Sequence, residues 1–384
     1  MLSSDQIEEL TAIRKRIHTN PEIAGKEKKT AALIKSELEK TAPDEIIDGI
    51  GGHGLVAIYR GENPDEGVNL MIRAELDGLR INEENSFDYR SQTKNRMHAC
   101  GHDGHMAIVL GAAKYLEDHR PRSGSVMLLF QPAEETGEGA GWMLDDPKFK
   151  ELKIDRGVAL HNLPGYEENR LFVKNETMAC GSTGIEITFK GKSSHAAHPE
   201  EGINPAQAIA ELLQNLEALS QEIQKGDEYR ILTVTYIQMG EPAFGISPGR
   251  AKIGVTLRAE TDELLKGLED DVHQKIDAVN DGFEGEGTYQ NREPFAATVN
   301  DADGVEELIK AADRADVPVD ILEEPMYWSE DFGEFRRKCP ITLFGLGAGE
   351  DSFPLHSEKY DFNDSLIPGG ISVFVNLIKR YTNE

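Results

Sequence analysis

Cysteine is scarce in this 384-residue chain: Cys100, Cys180 and Cys339 are the only three, an odd number placed far apart. That spacing excludes a disulfide framework and fits a reducing compartment. No apolar run approaches the roughly 18 residues that a membrane span needs. The opening MLSSDQIEEL has no basic stretch followed by an apolar one, so the expectation is a soluble, cytoplasmic protein with no membrane partner. Basic residues are also in deficit, 41 Lys and Arg against 69 Asp and Glu, for a net charge of −28. Such a surface repels a phosphate backbone, which argues against nucleic acid as a partner. No low-complexity stretch and no repeat of a few tens of residues is present, and solenoids and propellers drop out.

What is there is a long chain of ordinary globular make-up. Hydrophobic residues are 39% and charged residues 29%, enough apolar content to build cores in two or three domains. Strand-length apolar runs stand at Leu55 to Tyr59, Val68 to Ala74, Ser125 to Phe130, Gly157 to His161 and Ile341 to Gly345. They do not alternate strictly with polar residues, which predicts strands buried on both faces in a layered α/β sheet. Helical patterns cover Ser4 to Asn20, Lys26 to Lys40, Gly104 to Asp118 and Val305 to Ala315.

The middle of the chain has a different rhythm. From Gly181 the pattern predicts a strand (Gly184 to Phe189), a helix (Asn204 to Gln224), two strands (Arg230 to Met239, Ala251 to Glu260), a helix (Asp262 to Asn280) and a strand near Gly287 to Arg292. This βαββαβ order is that of a ferredoxin-like domain. Each helix carries an apolar stripe: Ile209, Leu212, Leu213, Leu216 and Leu219, then Leu265, Leu268, Val272, Ile276 and Val279. The expected organisation is a larger α/β domain from residues 1–180 and 297–384, with residues 181–296 inserted in it.

The segment MHACGHDGHM crowds His98, Cys100, His102, Asp103 and His105 just before a helical pattern. Thiolate, imidazole and carboxylate are the donors that bind Zn²⁺ and its neighbours. A single such residue would be read as a helix cap; five together favour a metal. Further on, an apolar strand stops at Gln131-Pro132 and delivers Glu134 and Glu135, one of which can bind metal while the other moves protons. Other strands end alike: Val68 to Ala74 runs into Glu75 and Asp77, Gly157 to Leu160 into His161, and Ile341 to Gly345 leads to His356. Open α/β sheets bind ligands at the carboxyl ends of their strands. Cys100, His102, Glu135, His161 and His356 exceed what one tetrahedral ion uses, which points to two ions sharing a bridging water. A Cys-His nucleophile is the competing reading, but it leaves His161, His356 and the paired glutamates unexplained.

The remaining candidates are more ambiguous. His18 reads as a capping or packing residue, and His53 and His119 as surface. His195 and His198 in GKSSHAAHPEEG could donate hydrogen bonds, and the fork of Arg258 could hold a carboxylate; loop packing or a surface ion pair explains each equally well.

RIHTNPE (16–22), MHACGHDGH (97–105), QPAEE (131–135), GKSSHAAHP (191–199), SEDF (329–332) and HSEKYDFND (356–364) together resemble the aminoacylase and carboxypeptidase family of dinuclear metallohydrolases. More narrowly, they are similar to its amidohydrolase branch, with hippurate hydrolases, N-acetyldiaminopimelate deacetylases and indoleacetyl-amino-acid hydrolases. The resemblance runs in the family's order over nearly the whole chain. It implies an α/β metal-binding domain with an inserted ferredoxin-like lid that commonly mediates homodimerisation, and two divalent ions per subunit, Zn²⁺ or Mn²⁺ foremost, with Co²⁺ or Ni²⁺ as further candidates.

The resemblance also implies roles. Cys100, His102, Glu135, His161 and His356 would be the ligands, Glu134 the general base, and Asp77 a carboxylate orienting a ligand. His195 would stabilise the oxyanion from the partner subunit's lid, and Arg258 would meet the substrate carboxylate. The implied reaction is hydrolysis of the amide bond of N-acyl amino acids. A dipeptidase or carboxypeptidase is the alternative within the family, and a non-catalytic metal- or ligand-binding protein the alternative outside it. Three positions depart from the pattern: Gly245-Ile246-Ser247-Pro248 where relatives often read Asn-Val-Ile-Pro, Glu75 where Asp is commoner, and Glu200 where His commonly follows the proline. These bear on substrate identity more than on reaction type.

Overall fold

In the strand Gly54–Arg60, Leu55, Ala57 and Tyr59 share a core with Leu10, Ile13, Ile108 and Ala112 of two helices, while Val56 and Ile58 are buried on the opposite side. That two-sided burial is why the run does not alternate. The computed structural model describes residues 2–224, 226 and 228–382, which form two units: Met1–Met178 with Thr298–Pro325 and Asp331–Glu384, and Ala179–Ala297 with Met326–Glu330.

The first unit is built on an eight-stranded mixed sheet. Its strands lie in the order Glu45–Ile50, Gly54–Arg60, Ser125–Gln131, Asn69–Glu75, Arg156–Leu163, Ile341–Gly347, Leu171–Val173 and Val319–Ile321. The four from Ser125–Gln131 to Ile341–Gly347 are parallel, so their carboxyl ends emerge along one edge. Glu45–Ile50 and Gly54–Arg60 continue one side with antiparallel pairing. Three flanking strands, Glu45–Ile50, Leu171–Val173 and Val319–Ile321, are absent from the sequence-level pattern. Two are only three residues long, and the third is mostly exposed or half-buried, so none offers a clear apolar run.

Helix His102–Asp118 is almost entirely buried and crosses helix Leu366–Tyr381 at two glycines. A Cβ on Gly111 would fall 2.2 Å from the Ile371 side chain, and one on Gly370 would fall 2.8 Å from that of Ile108. Leu366–Tyr381 is likewise absent from the apolar pattern, because Pro368-Gly369-Gly370 reads as a breaker. The proline lies in the first turn, where no intrahelical N–H bond is lost.

In the second unit the long elements run strand–helix–strand–strand–helix–strand along the chain. Its strands stand as Arg230–Met239, Arg250–Ala259, Gly181–Lys190 and Glu286–Phe295, all neighbours antiparallel. Helices Ala206–Ile223 and Asp262–Gly282 pack their stripes against Ile185, Ile187, Phe189, Ile253, Val255 and Leu257. Leu213, expected on the first stripe, is only partly buried. Met326–Glu330 joins this unit through Cys180, whose N–H donates to the carbonyls of Met326 (3.0 Å) and Trp328 (3.1 Å).

Candidate metal centre

All four parallel strand ends contribute to one cage. Strand Asn69–Glu75 leads to Asp77, Ser125–Gln131 to the 3₁₀ turn Glu134–Thr136, Arg156–Leu163 carries His161, and Ile341–Gly347 leads to His356. Cys100 and His102 come from the start of the helix packed beneath them. Gly101 between these two has φ +93°, a conformation that turns the two side chains to the same side. A Cβ there would lie 2.1 Å from Asn162 Oδ1 and 2.7 Å from the Tyr360 hydroxyl.

The donors form overlapping triads. One donor atom each of Cys100, His102 and His161 lies within 4.8 Å of the others, and the same holds for Cys100, Glu135 and His356 and for His102, Glu134 and Glu135. Cys100 Sγ is 3.4 Å from His161 Nε2, His102 Nε2 is 3.7 Å from Glu134 Oε2, and His356 Nε2 is 3.7 Å from Glu135 Oε2. His356 has φ +65° and is held by its N–H donating to Ala99 O at 2.8 Å. That left-handed conformation costs a non-glycine residue on the order of 1–3 kcal/mol, which the surrounding structure supplies.

The imidazoles are set for ligation. His102 Nδ1–H donates to Asp77 O at 2.9 Å, and His161 Nδ1–H donates to Asn162 O at 2.9 Å, so each presents Nε2 to the cage. Burial holds His161 neutral, with its pKa down at about 3. Burial also opposes charge on His102, but Glu75, Asp77 and Glu135 outweigh it and raise its pKa to about 10. The surrounding carboxylates thus favour positive charge at His102. His102 Nε2 is buried without a hydrogen-bond partner, and one thiol, three imidazoles and two carboxylates are a donor set suited to divalent ions, so the residues present fit a metal.

Asp77 is fully buried and grips the turn: Oδ1 accepts the Glu134 N–H at 3.2 Å and Oδ2 the Glu135 N–H at 3.1 Å. The two remaining site candidates belong to the second unit. His195 is exposed on the short strand Ser194–His195, with Nδ1 accepting the Ala197 N–H at 3.0 Å. Arg258 NH1 donates to Ser329 Oγ at 2.8 Å.

Of the five donors clustered in MHACGHDGH, only Cys100 and His102 join these triads. Asp103 turns away to His18 and Arg14. His105 lies 2.8 Å from Glu75 Oε2 and 2.7 Å from Asn162 Oδ1, and Asn162 Nδ2 donates to the Tyr360 hydroxyl at 2.7 Å. Glu75 also pairs with buried Arg73, whose other nitrogens reach Gln131 Oε1 and Asp331 Oδ1, both at 2.9 Å. Burial alone would raise the Glu75 pKa; Arg73 and His105 hold it well below the carboxylate range. Local spacing could not show this network, since its members come from six separate segments.

Residues 71–380 match the profile of peptidase family M20/M25/M40. The chain is 29% identical over 377 residues to hippurate hydrolase of Campylobacter jejuni, covering 97% of this chain and 96% of that one. It is 30% identical over 386 residues to IAA-amino acid hydrolase ILR1-like 2 of Arabidopsis thaliana, covering 98% and 85%. Its fold superposes with a TM-score of 0.81 on a Bacillus subtilis protein described as a dinuclear metal-binding peptidase, at 23% identity and 99% coverage of both chains. The sequence match over more than three-quarters of its length and the shared fold place this chain in peptidase family M20/M25/M40.

Proposed function

We propose that the protein is a metal-dependent amidohydrolase that cleaves the amide bond of N-acyl amino acids, releasing the free amino acid and the acyl group as its acid. The observation that carries this reading is the set of overlapping donor triads with a carboxylate to spare: Cys100, His102, Glu135, His161 and His356 suffice to hold two divalent ions, and Glu134 remains within 3.7 Å of His102 Nε2. Bound divalent ions lower the pKa of water and polarise a carbonyl oxygen.

The chain's own residues supply the rest. Glu134 accepts the proton of the attacking water on a carboxylate oxygen and passes it to the departing amine nitrogen. Asp77 holds the backbone on both sides of that carboxylate through the Glu134 and Glu135 N–H groups. His195 serves as a donor to the developing oxyanion, and the guanidinium of Arg258 takes the substrate's carboxylate.

The second unit acts as a ferredoxin-like lid through which two copies pair. In support, Ile237 and Met239 of the edge strand Arg230–Met239 are exposed, as are Phe244 and Ile246 just beyond it. No described helix is long and apolar enough to cross a membrane, and no described cysteine is in a disulfide, both compatible with the cytoplasm.

The test is hydrolysis of hippurate, N-acetyl amino acids and a few dipeptides after loading with Zn²⁺, Mn²⁺, Co²⁺ or Ni²⁺, with a chelated control. Chelator-sensitive release of amino acid from acyl substrates is expected. Cleavage of dipeptides alone would replace the reading with a dipeptidase.

A further inference from the structure

Three consecutive backbone N–H groups leave the end of strand Ser125–Gln131, and each goes to a carboxylate. Those of Glu134 and Glu135 go to Asp77; that of Ala133 goes to Glu27 Oε1 at 3.0 Å. Glu27 occupies the N-cap position of helix Lys28–Glu39, where an acidic side chain ordinarily bonds the helix's own first N–H groups. It makes no such bond. Glu22 does so instead, accepting the N–H groups of Lys29 at 2.7 Å and Thr30 at 2.9 Å through Oε2. Glu27 is thereby left to turn away from its own helix.

The placement is unfavourable for a carboxyl group. Glu27 is fully buried, and its Oε2 has no hydrogen-bond partner among the described residues. Burial, reinforced by the charge of Asp77, pushes its pKa up to about 7. Neither helix capping nor ion pairing accounts for an acid here. What it does accept is two N–H groups, of Gly25 at 2.7 Å and Ala133 at 3.0 Å. Ala133 is fully buried in the left-handed region, φ 53° and ψ 39°, and its carbonyl is tied back by the Gly139 N–H at 3.1 Å. An alanine rarely adopts this conformation unaided. The next residue is Glu134.

We propose that Glu27 is a positioning residue of the hydrolytic site, holding the Ala133 N–H so that the left-handed turn aims the Glu134 carboxylate. The inference rests on Glu134 being the proton carrier, and its test separates the two. Backbone hydrogen exchange of residues 131–137 is measured on the metal-free protein for wild type, Glu27→Ala and Glu27→Gln, since glutamine keeps an oxygen that accepts both N–H groups. Hydrolysis and metal content are then measured on the loaded proteins.

Glu27→Ala is expected to speed exchange at Ala133 at least about tenfold and to lower kcat up to about 100-fold with KM within about twofold, the scale expected for a misplaced catalytic group. Metal content stays unchanged, and Glu27→Gln restores both readouts. Wild-type exchange in Glu27→Ala overturns the proposal whatever the activity, and so does faster exchange with undiminished kcat. If the loaded wild type hydrolyses nothing, the hydrolase reading fails and the positioning role falls with it, while exchange still reports whether Glu27 orders the turn. Should Glu27→Ala not fold, Glu27→Asp, one methylene shorter, replaces it in the same readouts with the same expectations.

Discussion

His18 Nδ1 lies 2.9 Å from Asp103 Oδ2, both side chains fully buried and 85 residues apart in the chain. The pair ties the first helix to the start of the helix that carries His102, and Arg14 joins it at 3.3 Å from the same carboxylate oxygen. His18 is therefore a packing residue with a charge partner rather than a helix cap. Burial opposes its protonation, but Asp103 prevails and raises its pKa to about 9.

A pH dependence of stability follows. The folded pKa lies above the ordinary 6.5, so the contribution of the pair is complete below about pH 6.5 and is lost as pH rises through about 9. The loss across that window is on the order of 3 kcal/mol. Thermal unfolding of chelated protein between pH 6 and 9.5 should show a falling Tm, and His18→Gln should flatten the slope. An identical slope in the variant would remove His18 as its source.

Glu134→Ala should lower kcat by roughly 10²- to 10⁴-fold, the usual contribution of a positioned acid–base group. Metal content should stay at the wild-type value, because the triads of Cys100 with His102 and His161, and with Glu135 and His356, do not include Glu134. Elemental analysis beside steady-state kinetics checks both halves; a variant retaining most of its turnover would show that the proton travels elsewhere.

Arg73→Met should destabilise the protein by about 3–5 kcal/mol, because it leaves the buried carboxylates of Glu75 and Asp331 without their cation. Adding Glu75→Gln should recover part of that loss, since one of the stranded charges is then gone. Denaturant titrations of the single and double variants measure the coupling, and strictly additive losses would mean that the pair is not coupled.

Gly101→Ala should cost at least about 2 kcal/mol and lower metal content. A methyl group there would collide with Asn162 Oδ1 and the Tyr360 hydroxyl, and φ +93° is strained for any residue with a side chain. A variant with wild-type Tm and full metal occupancy would contradict the geometry.

Much of this protein was determined by the sequence itself. The strand and helix segments follow from apolar periodicity, because burial on two faces or on one leaves a pattern within about ten residues; Ser125–Gln131 and Asp262–Gly282 are examples. The candidate donors could be named from the sequence because strand ends in a parallel sheet converge, so residues such as His161 acquire meaning from position alone. What tertiary structure alone decided is which way each side chain turns. Cys100, His102, Asp103 and His105 stand within six positions, yet the left-handed Gly101 and the first turn of the helix send two into the cage, one to His18 and one to Glu75. Glu22 and Glu27 are likewise interchangeable on paper. Only the fold, by bringing Ala133 to the start of a helix more than a hundred residues earlier, makes one a helix cap and the other an acceptor for the turn that precedes Glu134. Hydrogen bonds between distant segments leave no periodicity in the chain, which is why composition and spacing are silent about them.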